Sequence, residues 1–186
     1  MSQFAIAPAS ESFSQVIESV VFDESTLQRR VQEIAAQVSF DYRGRELIVI
    51  GILKGAHIFT CDLIRYITIP VVMDFVSISR YKRAPGYKEV AITHDLEADI
   101  KGKDILLVED IIDTGLTLHY LAGILKQREP KSIAICSLLD RPALRLADIP
   151  MKYVGFNVDE EQFLIGYGLD YREQYRELPF IAEMHI

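Results

Sequence analysis

Three short runs decide most of what this chain can fold into. ELIVIGIL (46–53), DILLVE (104–109) and SIAICSLL (132–139) are apolar almost without interruption. A strand with one solvated face alternates polar and apolar residues, so continuous runs of this length mark strands covered on both faces. Between them the periodicity changes. Leu27, Val31, Ile34, Ala35 and Val38 recur at helical spacing and predict an amphipathic helix over about 24–39. AHIFTCDLIRYI predicts a second helix with Ala56, Phe59, Leu63 and Tyr66 on one side. Leu118, Leu121, Ala122 and Leu125 mark a third, stopped by Pro130. IPVVMDFVSIS reads as strand, as do KYVGFNV and FLIGYGL. Strands alternating with helices imply an α/β fold, a mostly parallel twisted sheet flanked by helices with right-handed crossovers.

In such sheets ligands bind beyond the carboxyl ends of the strands. That rule singles out Leu53-Lys54-Gly55, the stretch Glu109 to Thr117, and the turn after Leu139. One interval is different in kind. SRYKRAPGYKEV (79–90) is basic, rich in tyrosine and broken by Pro85 and Gly86, and it lies between strand-like runs. It reads either as a solvated hairpin loop or as a lid that closes over an anion.

Length and charge narrow the function. A chain of 186 residues fits one domain, 1–186, with room for a full core. No apolar run approaches the roughly 20 residues that span a bilayer. The opening MSQFAIAPASESFSQ lacks the basic region and sustained apolar core of a secretory signal, so a soluble cytoplasmic protein is expected. Cys61 and Cys136 lie far apart inside apolar-looking elements and read as reduced core thiols. His57, His94, His119 and His185 show no metal-ligand spacing. The net charge of −7 argues against nucleic acid as the main partner. A small anionic ligand would then need local donors and a divalent cation.

The stretch VEDIIDTGLTL (108–118) concentrates the chemistry. Thr114-Gly115-Leu116-Thr117 lies between a strand and a helix, where the first helical amides lack partners and the helix dipole is positive. With a glycine for close approach and two hydroxyls, this turn suits a phosphate. It is not a Walker A loop, and it could also be only a Thr-capped turn. Glu109, Asp110 and Asp113 would repel a phosphate unless they meet something else. A ribose diol offers donors that want anionic acceptors, with Glu109 and Asp110 holding it and Asp113 near the anomeric carbon or the base, placed for proton transfer. A metal cluster is the competing use. An aspartic-protease D-T-G does not suit a chain that alternates α and β.

The same stretch closely resembles the phosphoribosyl-pyrophosphate motif of the type I phosphoribosyltransferases, and specifically of their hypoxanthine-guanine branch. LKG (53–55) resembles that family's pyrophosphate loop, and YVGFNVDEEQFLIGYGLDYREQYREL (153–178) its purine-binding end. The resemblance runs from about Leu27 onward. It implies a sheet core over about 40–155 and a small hood from about 1–39 and 156–186. It also implies that Glu109 and Asp110 contact the ribose diol and that Asp113 assists proton transfer at purine N7. Asp113, Thr114, Gly115, Leu116 and Thr117 would surround the 5-phosphate. Leu53, Lys54 and Gly55, with an often-cis peptide before Lys54, would meet pyrophosphate together with Arg176. Phe163 would stack on the purine, Leu164 would offer backbone groups to its edge, and Asp170 would bind Mg²⁺, with Glu109 and Asp110 beside it. Tyr167, Tyr171 and Tyr175 read as packing residues.

Three positions depart from the family pattern. Arg141 stands where the family usually has a lysine that reaches the purine 6-oxygen, and a planar bidentate cation replaces a point charge. The family's Ser-Tyr lid pair is here Ser79-Arg80-Tyr81. Leu116 differs from many relatives, but only its backbone amide is needed. The resemblance implies an enzyme of purine salvage that joins phosphoribosyl pyrophosphate to a 6-oxopurine with Mg²⁺ as a homodimer or homotetramer, with no membrane or nucleic-acid partner. The alternative is an RNA-binding regulator on the same fold, which the cluster Arg80, Lys82, Arg83 and Lys88 leaves open.

Overall fold

A computed structural model describes residues 16–84 and 87–185; the side chains of 79–90 lie outside the description, as do Pro85 and Gly86. Among the described residues no helix is long and apolar enough to cross a membrane. Nine strands and three α-helices are described: β1 (Ile17–Phe22), α1 (Glu24–Asp41), β2 (Leu47–Leu53), α2 (His57–Tyr66), β3 (Val71–Ala84), β4 (Tyr87–His94), β5 (Asp104–Ile112), α3 (Leu116–Lys126), β6 (Ser132–Asp140), β7 (Met151–Asn157), β8 (Leu164–Ile165) and β9 (Ile181–Met184).

The main sheet has the order β4-β3-β2-β5-β6-β7. Its pairs are parallel except β3 with the edge strand β4. The continuous apolar runs lie where both faces are covered: in β2 only the last residue, Leu53, is more than minimally exposed. Successive side chains point to opposite faces. Val49, Leu106, Val108 and Cys136 therefore meet Leu27, Val31, Ile34, Phe59 and Leu63 of α1 and α2. Ile48, Ile50, Ile105, Leu107 and Ile135 meet Leu118, Leu121 and Leu125 of α3 on the other side. Each such fully buried aliphatic contributes about 1.5–3 kcal/mol.

Helix α1 begins where the sequence supplies a cap. The Asp23 carboxylate accepts from Thr26 N at 2.7 Å, and Glu24 adds an acidic first turn. A second, three-stranded antiparallel sheet has the order β1-β9-β8. In it Phe22 pairs with Ile181, and Leu164 with Glu183.

Some details differ from expectation. Cys136 is fully buried, and burial pushes its thiol pKa up, but Cys61 is exposed. The α2 face that packs inward carries Phe59, Thr60 and Leu63, and Cys61 falls on the opposite side of the helix. Tyr66 is 40% exposed, in the last turn, where its hydroxyl reaches Gln28 Oε1 at 3.4 Å. FLIGYGL is strand only at Leu164–Ile165, because Gly166 (φ 95°) and Tyr167 (φ 49°) turn the chain. The backbone after Ser79 is paired strand as far as Ala84, with Arg80 opposite Val90 and Tyr81 opposite Glu89.

Candidate active site

Strands β2 and β5 run in parallel with Gly51 opposite Val108, so the loop after β2 and the acidic end of β5 arrive side by side. The Leu53–Lys54 peptide is cis. A Cβ at Gly55 would overlap the Asp110 carboxylate, so only glycine lets these two segments touch. The segment after β8 closes against them. A Cβ on Gly168 (φ 103°) would overlap the Gly55 carbonyl oxygen. Together they enclose a cleft of about 270 Å³ lined by Lys54, Gly55, Glu109, Asp110, Thr117, Asp170 and Arg176. Burial raises the Asp110 pKa from the usual 3.8 to about 6, opposed by a 2.7 Å hydrogen bond from Ile111 N to its Oδ1.

The turn from β5 into α3 is built to leave amides open. Gly115 occupies the cap position at φ 74°, with no side-chain cap. Leu116 N has only a long contact, 3.4 Å, to Thr114 Oγ1. The helix dipole therefore meets the cleft through the first turn of α3, where Thr117 adds a hydroxyl. The Thr114 carbonyl accepts from Leu146 N at 3.0 Å and Ala147 N at 3.2 Å, which pins the turn from behind. Arg145 packs against Gly115 and pairs with the mostly buried Asp140; its Nη1 is buried without a hydrogen-bond partner.

Arg141 follows β6 and donates three ways. Nη1 bonds to Asp113 Oδ1 at 3.1 Å, Nε to the Asp159 carbonyl at 3.1 Å, and Nη2 to the Gln162 carbonyl. Phe163 follows directly and meets Tyr171 edge-on, ring centroids 5.7 Å apart. Leu164 is buried and paired with Glu183. Tyr167 is buried and donates its hydroxyl to Asp62 at 2.7 Å.

The loop after β8 carries an ion network. Arg176 reaches the Gly168 carbonyl at 2.7 Å, Asp170 Oδ1 at 2.8 Å and Glu173 Oε2 at 3.5 Å. The same Glu173 oxygen lies 2.8 Å from Lys54 Nζ.

The arrangement joins an amide-rich turn, two adjacent carboxylates and a pair of cations at the carboxyl ends of parallel strands. The model of the Phosphoribosyl transferase domain family matches residues 21–172. The chain belongs to that family. It is 42% identical over 168 residues to the hypoxanthine phosphoribosyltransferase of Salmonella typhimurium, covering 89% of this chain and 94% of that one. The hypoxanthine-guanine phosphoribosyltransferase of Bacillus subtilis is 45% identical over 167 residues, with 89% and 92% covered. Among solved structures, a hypoxanthine phosphoribosyltransferase from Staphylococcus aureus superposes with a TM-score of 0.90 at 39% identity, covering 96% of this chain and 97% of that one.

For a phosphoribosyltransferase the question of a metal turns on the donor set. Among the described residues no group of three or more His, Cys, Asp or Glu converges to hold an ion alone. Mg²⁺ is typically held by only one or two carboxylates, with water and substrate phosphate oxygens completing its shell. Glu109, Asp110 and Asp170 present such oxygens to one cleft, so the residues fit.

The phosphoribosyltransferase cleft thus gathers Leu53, Lys54, Gly55, Glu109, Asp110, Thr117, Asp170 and Arg176. Asp113, Arg141 and the carbonyls just before Phe163 form a second cluster. Ser79, Arg80 and Tyr81 lie on β3 just beyond Ile78, which lines the cleft, and their side chains are outside the described residues. Sequence reasoning missed Arg145 and Glu173. Arg145 sits in no motif and Glu173 was passed over inside the 153–178 stretch, and the fold brings them to Gly115 and to Lys54.

Proposed function

We propose that the protein transfers the phosphoribosyl group of 5-phosphoribosyl-1-pyrophosphate to hypoxanthine or guanine, giving the nucleotide and pyrophosphate in purine salvage. The observation that carries this reading is the meeting of three distant segments, Lys54–Gly55, Glu109–Asp110 and Asp170–Arg176, in one cleft at the sheet's carboxyl edge.

Each end of the substrate then has donors of the right kind. The amides of the first turn of α3, with Gly115 for close approach and the Thr117 hydroxyl, take the 5-phosphate. Glu109 and Asp110 accept hydrogen bonds from the ribose diol. Lys54, Arg176 and the amides of the Leu53–Gly55 loop draw charge from the departing pyrophosphate as the C1–oxygen bond breaks. Electrostatic stabilisation of the pyrophosphate oxygens is what Mg²⁺ supplies when bound, with Asp170, Glu109 and Asp110 as its protein-side donors. Purine N9 attacks C1 while Asp113, held by Arg141, takes up the N7 proton, a contribution of about 10²–10⁴-fold. Phe163 stacks on the base, Leu164 offers backbone groups, and Arg141 donates toward the 6-oxygen. Ser79, Arg80 and Tyr81 belong to a lid that keeps water from the oxocarbenium-like ribose. We further infer a cytoplasmic homodimer or homotetramer without nucleic-acid partners, on the strength of the family resemblance and the net charge of −7.

A steady-state ultraviolet assay with Mg²⁺ and phosphoribosyl pyrophosphate, offering hypoxanthine, guanine, xanthine, adenine and uracil separately, tests this. Nucleotide from hypoxanthine or guanine is expected. Product from none of the five would overturn the reading and bring forward a nucleotide-sensing regulator, testable by salt-dependent RNA binding.

A further inference from the structure

Glu173 has no part in the reaction as assigned above, yet it occupies a telling position. Its Oε2 lies 2.8 Å from Lys54 Nζ and 3.5 Å from Arg176 Nη2, so one carboxylate oxygen bridges the two cations assigned to pyrophosphate. The backbone aims it there. Arg172 (φ 53°) and Glu173 (φ 67°) are consecutive left-handed residues, and Glu173 N donates to Asp170 Oδ2 at 2.9 Å. Tyr171 and Gln174 close the turn with reciprocal backbone bonds of 3.1 Å.

A non-glycine residue in the left-handed region is uncommon, and two in succession are held by their surroundings. Here they are held by Asp170 and by the Tyr171–Gln174 bridge, and what they present is a negative charge to an anion site. Asp170 is fixed on Arg176 at 2.8 Å, so the bridge belongs to the same network as the candidate metal ligand.

We propose that Glu173 is an internal stand-in for pyrophosphate, a positioning residue that holds Lys54 and Arg176 together in the empty site and is displaced when pyrophosphate arrives. This rests on the assignment of those two cations to pyrophosphate. The bridge is suited to displacement. Both ends of the Lys54–Glu173 pair are about two-thirds exposed, 67% and 64%, and exposed pairs are weak. Pyrophosphate brings several negative charges against one, and it gains both cations at once. The displaced carboxylate stays nearby, so it also opposes the bound anion and favours release of the product.

The sign of the effect follows. In Glu173→Gln the competitor and the repulsion both disappear, while the size of the side chain is kept. The loss of orientation for two exposed cations is the smaller change. Inorganic pyrophosphate with fixed excess MgCl₂, titrated calorimetrically into the full chain, should bind E173Q about two- to fivefold more tightly than the wild type, within the range of a weak exposed ion pair. That gain should shrink as KCl is raised, because exposed charges are screened. In turnover, KM for phosphoribosyl pyrophosphate should fall along with kcat, the mark of slower product release rather than of damaged structure. Glu173→Asp, a shorter carboxylate, should lie between the two.

Arg176→Gln serves as the control. If it weakens pyrophosphate binding while E173Q leaves it unchanged or weaker, the stand-in role is wrong and the pyrophosphate assignment survives. If Arg176→Gln and Lys54→Met both leave binding unchanged, the assignment itself fails and takes the proposal with it.

Discussion

Arg141 Nη1 donates to Asp113 Oδ1 at 3.1 Å, and the other arms of the same guanidinium hold the carbonyls of Asp159 and Gln162. One planar group therefore ties the carboxylate proposed to handle the N7 proton to the segment that delivers Phe163. A lysine has three donors on a single atom and cannot span these separated acceptors. Arg141→Lys should raise KM for the purine by about tenfold through loss of one or two charge-assisted bonds. KM for phosphoribosyl pyrophosphate should stay within about twofold, since no arm of Arg141 reaches that cleft. Initial rates with each substrate varied in turn will show the split, and an equal rise in both constants would contradict it.

Asp113→Asn keeps an oxygen for Arg141 and removes the group that takes a proton. Turnover should fall by about 10²-fold or more while calorimetric binding of phosphoribosyl pyrophosphate is largely retained. An unchanged kcat would remove Asp113 from its role.

Asp110 makes a stability prediction in the metal-free protein. Burial raises its pKa from the usual 3.8 to about 6 in the folded chain, so the folded state binds this proton more tightly than the unfolded state does. The stabilisation is complete below about pH 4 and is lost as pH rises through about 6. In buffer with chelator, the unfolding free energy of the wild type minus that of Asp110→Asn should fall across that window, by at most about 3 kcal/mol. Parallel urea-denaturation profiles for the two proteins would refute this account.

Gly168 fixes the closure of the cleft. Gly168→Ala places a methyl group against the Gly55 carbonyl and forces alanine to φ 103°. It should cost roughly 2–4 kcal/mol in unfolding free energy. Where the protein still folds, pyrophosphate binding should weaken too, because the two loops must separate.

The architecture was largely legible because burial on two faces leaves a plain signature. The runs around Ile50, Leu107 and Ile135 could only be inner strands, and the spacing of Leu27, Val31 and Ile34 could only be a helix face. The small sheet was not legible in the same way. No residue of β1 is fully buried, and its partner β9 is only four residues long, so neither carries a strong pattern of its own. Long-range pairing, not local preference, makes them strands. The acidic motif was readable because its neighbours line one cleft together, as Glu109 and Asp110 do. Glu173 and Arg145 were not, since Lys54 and Gly115, which they meet, lie far from them in sequence. Cys61 and Tyr66 erred for a third reason: an apolar helix segment does not reveal which residues overhang its packing partner.

The pairing of Phe22 with Ile181 has a bearing on how the enzyme is made. During translation the strand around Phe22 leaves the ribosome early, with almost the entire described chain still to follow. Contacts this distant in sequence form slowly, and they cannot form before the later strand exists. The loop that presents Asp170 and Arg176 is framed by β8 and β9, so it is placed only when that late pairing closes. All the strands of the parallel sheet precede β8 and β9 in the chain, so the wall of the cleft that carries Asp170 and Arg176 is made last. The cleft is therefore complete only when the end of the chain has paired with its beginning.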